Sequence, residues 1–394
     1  IDEFKCIEPN QPFKAYMKQF LPKRFHYANN DRIEPLHFYL NSQWQLPSPK
    51  FIDACHSIYV LGAWVFPCPF SLSSSILSCY LNSFIDLLDL KPAPNNGTHG
   101  RLNNLLRNPV YTPHHPKETS HPSECSFVGQ RTFPVSLGCS CRTKIETLTL
   151  PYGRPRVLQK KHNYCLLNHH RYVNGYSKDY KMSLWSAYTV NKNVKDTSSC
   201  LHKDVRIASN HNQTCSFYNN HPRLTYGFLS PPSKYIAFIL FNLSVLWNYF
   251  HQSLLPEYAA DRNGVNVVSG PVFDYDSDGI YDTPEKVKRH PGNSEVPIPT
   301  HFFIVLTTCK NTSETPLKCE GSLDALSFIV PHREDNSESC ARSESLWVEE
   351  RMKFHVARVR DIELLTGLSF YQDRKQPVSD ILQLKTYLPT FETV

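Results

Sequence analysis

No two of the 13 cysteines stand in the C-x2-C spacing of a zinc module, and Cys139 and Cys141 form a lone C-x-C. No apolar run reaches the roughly 20 residues a membrane helix needs; the run 58–66 (IYVLGAWVF) is stopped by Pro67 and Pro69. Neither charge dominates. Lys and Arg number 42 against 36 Asp and Glu, and the formal excess of +6 is spread along the chain. Such a balance does not by itself argue for nucleic-acid binding. No internal repeat is visible. The chain opens Ile1-Asp-Glu-Phe-Lys-Cys6, without Met and without an apolar leader, and reads as a piece of a longer precursor.

What is present points outward from the cell. Hydrophobic residues make up 40% of the 394 positions, with 23 Phe and 21 Tyr, enough for a sizeable core and long enough for two domains. Four sequons begin at Asn96, Asn212, Asn242 and Asn311. Together with the cysteines they predict an extracellular or secreted chain, or the ectodomain of an anchored one, with structural disulfides. The odd cysteine count leaves one thiol unpaired or joined to another chain.

Composition divides the chain. Residues 1–110 hold a basic aromatic stretch, Leu21 to Ala28, a strand from Pro35 to Leu40, a divergent insert at 47–83, and the turn-rich Lys91-Pro-Ala-Pro-Asn-Asn-Gly-Thr-His99. Residues 111–149 are rich in Pro, Ser, Thr and His and read as a linker stapled by disulfides. His114-His115 and His169-His170 read as solvent-facing rather than metal-binding. From Leu150 to residue 394 a second domain begins. Val265–Val268, Phe302–Leu306 and Phe328–Val330 read as buried strands. Residues 346–365 read as one helix, with Val348, Met352, Val356 and Val359 at helical spacing and Gly367 as its stop. The mixture predicts an α+β fold around an antiparallel or mixed sheet.

The sharpest chemical signal is Asp274-Tyr-Asp-Ser-Asp-Gly-Ile-Tyr-Asp282. Alternating carboxylates at Asp274, Asp276 and Asp278 can converge on one centre. Gly279 permits a sharp turn, Ile280 offers a backbone carbonyl, and Asp282 adds a fourth carboxylate. Calcium wants six to eight hard oxygen ligands, and this loop supplies them. Glu285 completes the formal D-x-D-x-D-G-x5-E pattern. The segment before the loop is strand-like, with Gly270-Pro271, so the loop does not sit in a true helix–loop–helix.

Longer strings resemble a known family. Arg262 to Gly279, Pro297-Ile-Pro-Thr-His-Phe-Phe303, Trp347-Val-Glu-Glu350, Ala357 to Glu363, Leu365 to Gln372 and Leu384 to Phe391 resemble the nuclease-like domain of the ectonucleotide pyrophosphatase/phosphodiesterases. Pro151 to Leu158 resembles the start of that domain. Leu21 to Tyr27 and Lys91 to Gly100 resemble the late part and the end of its alkaline-phosphatase-like α/β phosphodiesterase domain.

The resemblance implies a zinc-dependent enzyme that hydrolyses nucleotide pyrophosphate and phosphodiester bonds through a Thr nucleophile and two zinc ions. The nucleophile and most zinc ligands are expected upstream of Ile1, in a missing catalytic portion of the same precursor. The Gly-Phe-x-His-Gly motif expected after Trp44 does not occur in 47–83, where His56 is the only histidine. The Asp-Arg-Gly-His motif of non-specific endonucleases is also missing; its neighbourhood reads Gly227-Phe-Leu-Ser-Pro-Pro232, and Asp261-Arg-Asn-Gly264 is a superficial echo. The resemblance further implies structural Ca2+ on Asp274, Asp276, Asp278, the Ile280 carbonyl and Asp282, without Glu285. It implies the disulfides Cys6–Cys340, Cys139–Cys215, Cys141–Cys200 and Cys309–Cys319, with Cys125–Cys165 in addition, and a glycan on Asn96. Nucleotides or nucleic acid are the expected partners. The expectation is therefore a calcium-binding, non-catalytic nuclease-like portion of such an enzyme. Retained hydrolase or nuclease activity is one alternative. A polyanion-binding module is another, with Lys23-Arg24 and Arg154-Pro-Arg156 as its basic strings.

Overall fold

A computed structural model describes residues 13–40, 123–124, 144–158, 164–169, 171–191, 206–207, 225–229, 237–240, 244–290, 293–333 and 344–389. The chain divides into two units, one of Ile1–Leu21 with Asp31–His114, the other of Pro22–Asn30 with His115–Val394. In the first, β1 (Phe13–Met17) and β2 (Leu36–Leu40) pair antiparallel, and Phe13 meets Phe38 edge-on at 5.5 Å.

The second unit is built on an eight-stranded sheet. Its strands are β3 (Ser123–Glu124), β5 (Tyr164–Asn168), β6 (Tyr172–Ser177), β7 (Met182–Val190), β10 (Val265–Val272), β13 (His301–Cys309), β14 (Leu323–Pro331) and β15 (Val356–Ala357). Their order is β15-β14-β13-β10-β7-β6-β5-β3. Every neighbouring pair is antiparallel except β3 with β5, which is parallel. Three small ribbons complete the strands: β4 (Arg156–Val157) with β16 (Leu368–Ser369), β8 (Thr225–Phe228) with β9 (Ala237–Leu240), and β11 (Arg289–His290) with β12 (Asn293–Pro297).

The sheet is covered on both faces, which is why its central strands read as near-continuous apolar runs. Every residue of β13 is buried. Phe302, Ile304 and Leu306 point into one cluster with Trp247, Phe250 and Tyr258. Phe303 and Val305 point into the opposite cluster with Trp185, Ile362 and Phe370. Burying a side chain of this size contributes about 1.5–3 kcal/mol.

The first face is closed by α2 (Ser244–Tyr249), a π-turn at Phe250–Leu254, α3 (Leu255–Asp261) and α4 (Glu344–Phe354); α1 (Lys144–Thr149) lies earlier in the chain. The π-turn has a local cause. Pro256 cannot donate a hydrogen bond, and its ring crowds the carbonyl four residues back. The second face is closed by α5 (Val359–Thr366), with Ile381 and Leu384 of α6 (Val378–Thr386) packed against its cluster. Among the described residues no helix is long and apolar enough to cross a membrane.

The predicted single helix at 346–365 is a correction. The chain forms α4, leaves it at Phe354, pairs Val356 and Ala357 with Phe328 and Ser327 of β14, and re-enters a helix at Val359. Arg358 caps that second helix by donating its N–H to Asp361 Oδ2 at 2.9 Å. Helical spacing joined two elements because both present apolar residues to the same sheet. Gly367 does stop α5, in the left-handed conformation at φ 66°. The three buried strands are observed with wider bounds. Pro271 is tolerated inside β10 because pairing to β7 ends at Ser269, so no partner on that side needs its N–H.

Candidate metal centre

The acidic loop leaves β10 at Val272 and lies between that strand and a turn at 284–286. Thr300 anchors its entry: its N–H donates to Val272 O at 2.9 Å, and its Oγ1 accepts from Asp274 N–H at 3.3 Å. The exit is tied back by the Asp282 N–H, which donates to Phe273 O at 2.9 Å. Tyr180 stacks on Phe273 and donates its hydroxyl to Asp282 O at 2.6 Å. The loop turns through two left-handed residues, Ser277 (φ 59°) and Gly279 (φ 81°).

Asp274, Asp276 and Asp278 are brought together, with one oxygen of each lying within 4.8 Å of the others. Their environments differ. Asp274 is buried and Asp276 and Asp278 are exposed. Asp274 Oδ2 accepts from Lys23 Nζ at 2.7 Å, while its Oδ1 is buried with no hydrogen bond of full geometry; the Gly279 N–H also faces this carboxyl. Burial pushes the Asp274 carboxyl above its ordinary pKa, and Lys23 pulls the other way without reversing it. A buried carboxylate oxygen without a donor is costly, and a cation offsets that cost. Asp278 Oδ1 accepts from Ile280 N–H at 2.8 Å, and Asp276 Oδ1 from Asp278 N–H at 3.3 Å. Lys286 reaches Asp276 Oδ2 at 2.9 Å and holds that carboxyl below its usual range.

Asp282 is not one of the three. Its buried Oδ2 accepts from Tyr275 N–H at 2.6 Å, and Oδ1 lies 3.5 Å from Lys286 Nζ. Glu285 bonds to Thr283 and stands fully exposed. Ile280 exposes its side chain.

Sequence reasoning missed the partners from residues 22–30. Lys23 donates to Ser277 Oγ at 3.2 Å as well as to Asp274. Arg24 donates to the carbonyls of Phe354 and Val356. His26 Nε2 pairs with Asp361 Oδ1 at 2.9 Å, and a Cβ on Gly279 would come within 2.8 Å of His26 Nδ1. Asp361 is further gripped by the Arg358 guanidinium. Lys23 is thus buried in an ion pair, and the half-buried Arg24 is engaged with backbone carbonyls. Arg154 and Arg156 are likewise engaged, with Glu146 at 2.9 Å and Asp373 at 2.7 Å. Arg262 of the Asp261-Arg-Asn-Gly264 string pairs with Asp324 at 2.9 Å.

The second grouping of ligand-type side chains among the described residues, Cys309, Glu314 and Cys319, is a disulfide neighbourhood: Cys309 and Cys319 are bonded. Cys165 is disulfide-bonded too. His169 stacks on Tyr172 at 4.3 Å and meets Arg206. Cys6, Cys340, Cys139, Cys215, Cys141, Cys200, Cys125, Asn96, His114, His115, His170 and the insert 47–83 lie outside the described residues.

A mixed α/β chain with an antiparallel sheet and an acidic loop at the end of a central strand is the class these features define. No protein-family model matches it. Over 446 aligned positions it is 48% identical to "Ectonucleotide pyrophosphatase/phosphodiesterase family member 1" of Homo sapiens, covering 98% of this chain and 48% of that protein. It is 44% identical to "Venom phosphodiesterase 2" of Crotalus adamanteus, covering 99% and 55%. It is 45% identical to "Ectonucleotide pyrophosphatase/phosphodiesterase family member 3" of Bos taurus, covering 100% and 52%. The chain belongs to the ectonucleotide pyrophosphatase/phosphodiesterase family. It spans about half the length of the curated relatives it matches.

Proposed function

We propose that this chain is the calcium-binding part of an extracellular nucleotide pyrophosphatase/phosphodiesterase, in which a nuclease-like unit braces the enzyme rather than performing its chemistry. The observation that carries the reading is the gathering of Asp274, Asp276 and Asp278, in which the buried Asp274 Oδ1 has no hydrogen bond of full geometry. Those residues fit a hard cation. Asp274, Asp276 and Asp278 would hold it by carboxylate and Ile280 by its carbonyl. Asp282 would join by turning from Tyr275 N–H or would orient the loop from where it stands. Calcium supplies positive charge at a site where three carboxylates otherwise repel. Hydrolysis of nucleotide phosphodiester or pyrophosphate bonds, with zinc in the catalytic portion, is the activity of the whole enzyme under this reading.

The role of the bound ion is to fix the strand-to-turn loop against residues 22–30. Lys23 and His26 reach that loop directly, and Arg24 holds the same segment to the carbonyls beside it. Thermal unfolding of the purified chain with calcium and with a calcium chelator tests the proposal. Binding to the folded state alone gives about 2.7 kcal/mol when free calcium is 100-fold above Kd, so the melt rises with calcium. An unchanged melt overturns the reading.

A further inference from the structure

Three polar side chains lie in one row across the middle of the eight-stranded sheet. Asn174 of β6 is paired with Ser186 of β7, and Ser186 with Ser269 of β10. Each stands two residues from a member of the first cluster, Tyr172, Tyr188 and Val267, so strand alternation turns all three toward that face. The row is apolar at both ends, where Leu167 is paired with Asn174 and Ile304 with Ser269. Asn174 and Ser186 are each 1% exposed and Ser269 is fully buried. Ser269 places its hydroxyl proton by donating to Leu229 O at 2.6 Å, just past β8. The other two side chains are different. Asn174 Nδ2, Asn174 Oδ1 and Ser186 Oγ are buried without a hydrogen-bond partner. Directly opposite Cβ atoms stand about 4.5–5.5 Å apart, close enough for such side chains to meet, yet these two do not bond to each other. A buried amide left dry is costly, and polar interior sites hold water where apolar ones stay dry. One water with two hydrogen bonds of about 2.8 Å joins polar atoms roughly 4.5 Å apart.

We propose that ordered water bridges Asn174, Ser186 and Ser269 as an internal hydration site of the sheet. The Asn174 amide brings two donors and a carbonyl acceptor, and Ser186 brings one donor and its lone pairs in the middle of the row. Ser269 Oγ has its proton committed to Leu229 O, so toward the water it accepts only. Hydrogen bonds therefore run from the amide across two strands to the Leu229 carbonyl. The water does what direct side-chain pairing does elsewhere: it ties β6, β7 and β10 to the segment that holds Leu229. Nothing in this site depends on calcium, so it and the proposed function can fail separately.

A crystal structure of the full chain, secreted with its disulfides formed and at a resolution that shows ordered water, is the first test. A solvent peak within hydrogen-bond distance of both the Asn174 amide and Ser186 Oγ is expected. No peak there overturns the proposal, whether the two side chains then bond to each other or stay apart. Thermal melts of Asn174→Leu, Ser186→Ala and the double variant are the second test. The fall in Tm from Asn174→Leu is expected to shrink in the Ser186→Ala chain, where the shared water has already lost a partner. An equal fall in both backgrounds, or a rise in Tm on Asn174→Leu alone, overturns the bridge.

Discussion

Replacing Lys23 by Met leaves Asp274 buried with no cation on either oxygen. The Lys23 and Asp274 side chains are 7% and 0% exposed, and their contact is 2.7 Å. Removing one partner of such a pair typically costs about 3–5 kcal/mol, because the remaining charge is stranded. At about 2 °C per kcal/mol for a unit of this size, the calcium-free melt falls by roughly 6–10 °C. Two conditions shrink the loss. Saturating calcium supplies the missing charge. Acid removes the need for it: the Asp274 pKa is raised by burial, so the benefit of its neutral form is full below the unfolded value of about 3.9 and is lost as pH rises through the folded value. Differential scanning fluorimetry of wild type and Lys23→Met, with calcium or chelator and across pH, reads all three. A variant that melts with wild type in chelator at neutral pH refutes the pairing argument.

Two other outcomes follow from the same neighbourhood. Gly279→Ala places a side chain at φ 81° against His26 Nδ1, so the left-handed conformation alone costs about 1–2 kcal/mol and the melt drops. His26→Ala in the same chain restores the contact part of that loss and not the conformational part, which a double-mutant comparison measures. Asp361 is buried, which raises its pKa, but hydrogen bonds from His26 and Arg358 outweigh burial and hold it below the ordinary range. Its stabilisation is therefore present above the unfolded value of about 3.9 and lost as pH falls through the folded one. Denaturant midpoints of wild type and Asp361→Asn are expected to converge in acid, and a gap that stays constant from neutral pH to strong acid contradicts the assignment.

The parts of this molecule that could be read from sequence are those whose signal is local. The runs in β10, β13 and β14 are apolar because both sheet faces are covered, and their buried character survives without knowing the cover. The alternation of Asp274, Asp276 and Asp278 is local as well, and the structure gathers these three. Asp282 has the right spacing but a different hydrogen-bond partner, Tyr275 N–H, which spacing does not encode. The break between α4 and α5 was hidden because Val356 keeps helical spacing while its backbone pairs with Phe328. Lys23 meets Asp274 across 251 positions and His26 meets Asp361 across 335, so neither contact leaves a pattern in the chain. Lys23 and His26 within the basic, aromatic stretch Leu21 to Tyr27 are the only trace.

Calorimetric titration of the chelator-stripped chain with calcium tests the central claim most directly, run beside Asp276→Asn and Asp278→Asn. Both positions are exposed, so these variants keep the fold while removing ligand charge. The account predicts saturable binding in wild type that weakens sharply in each variant. Equal binding in all three proteins, or no binding in wild type, contradicts it.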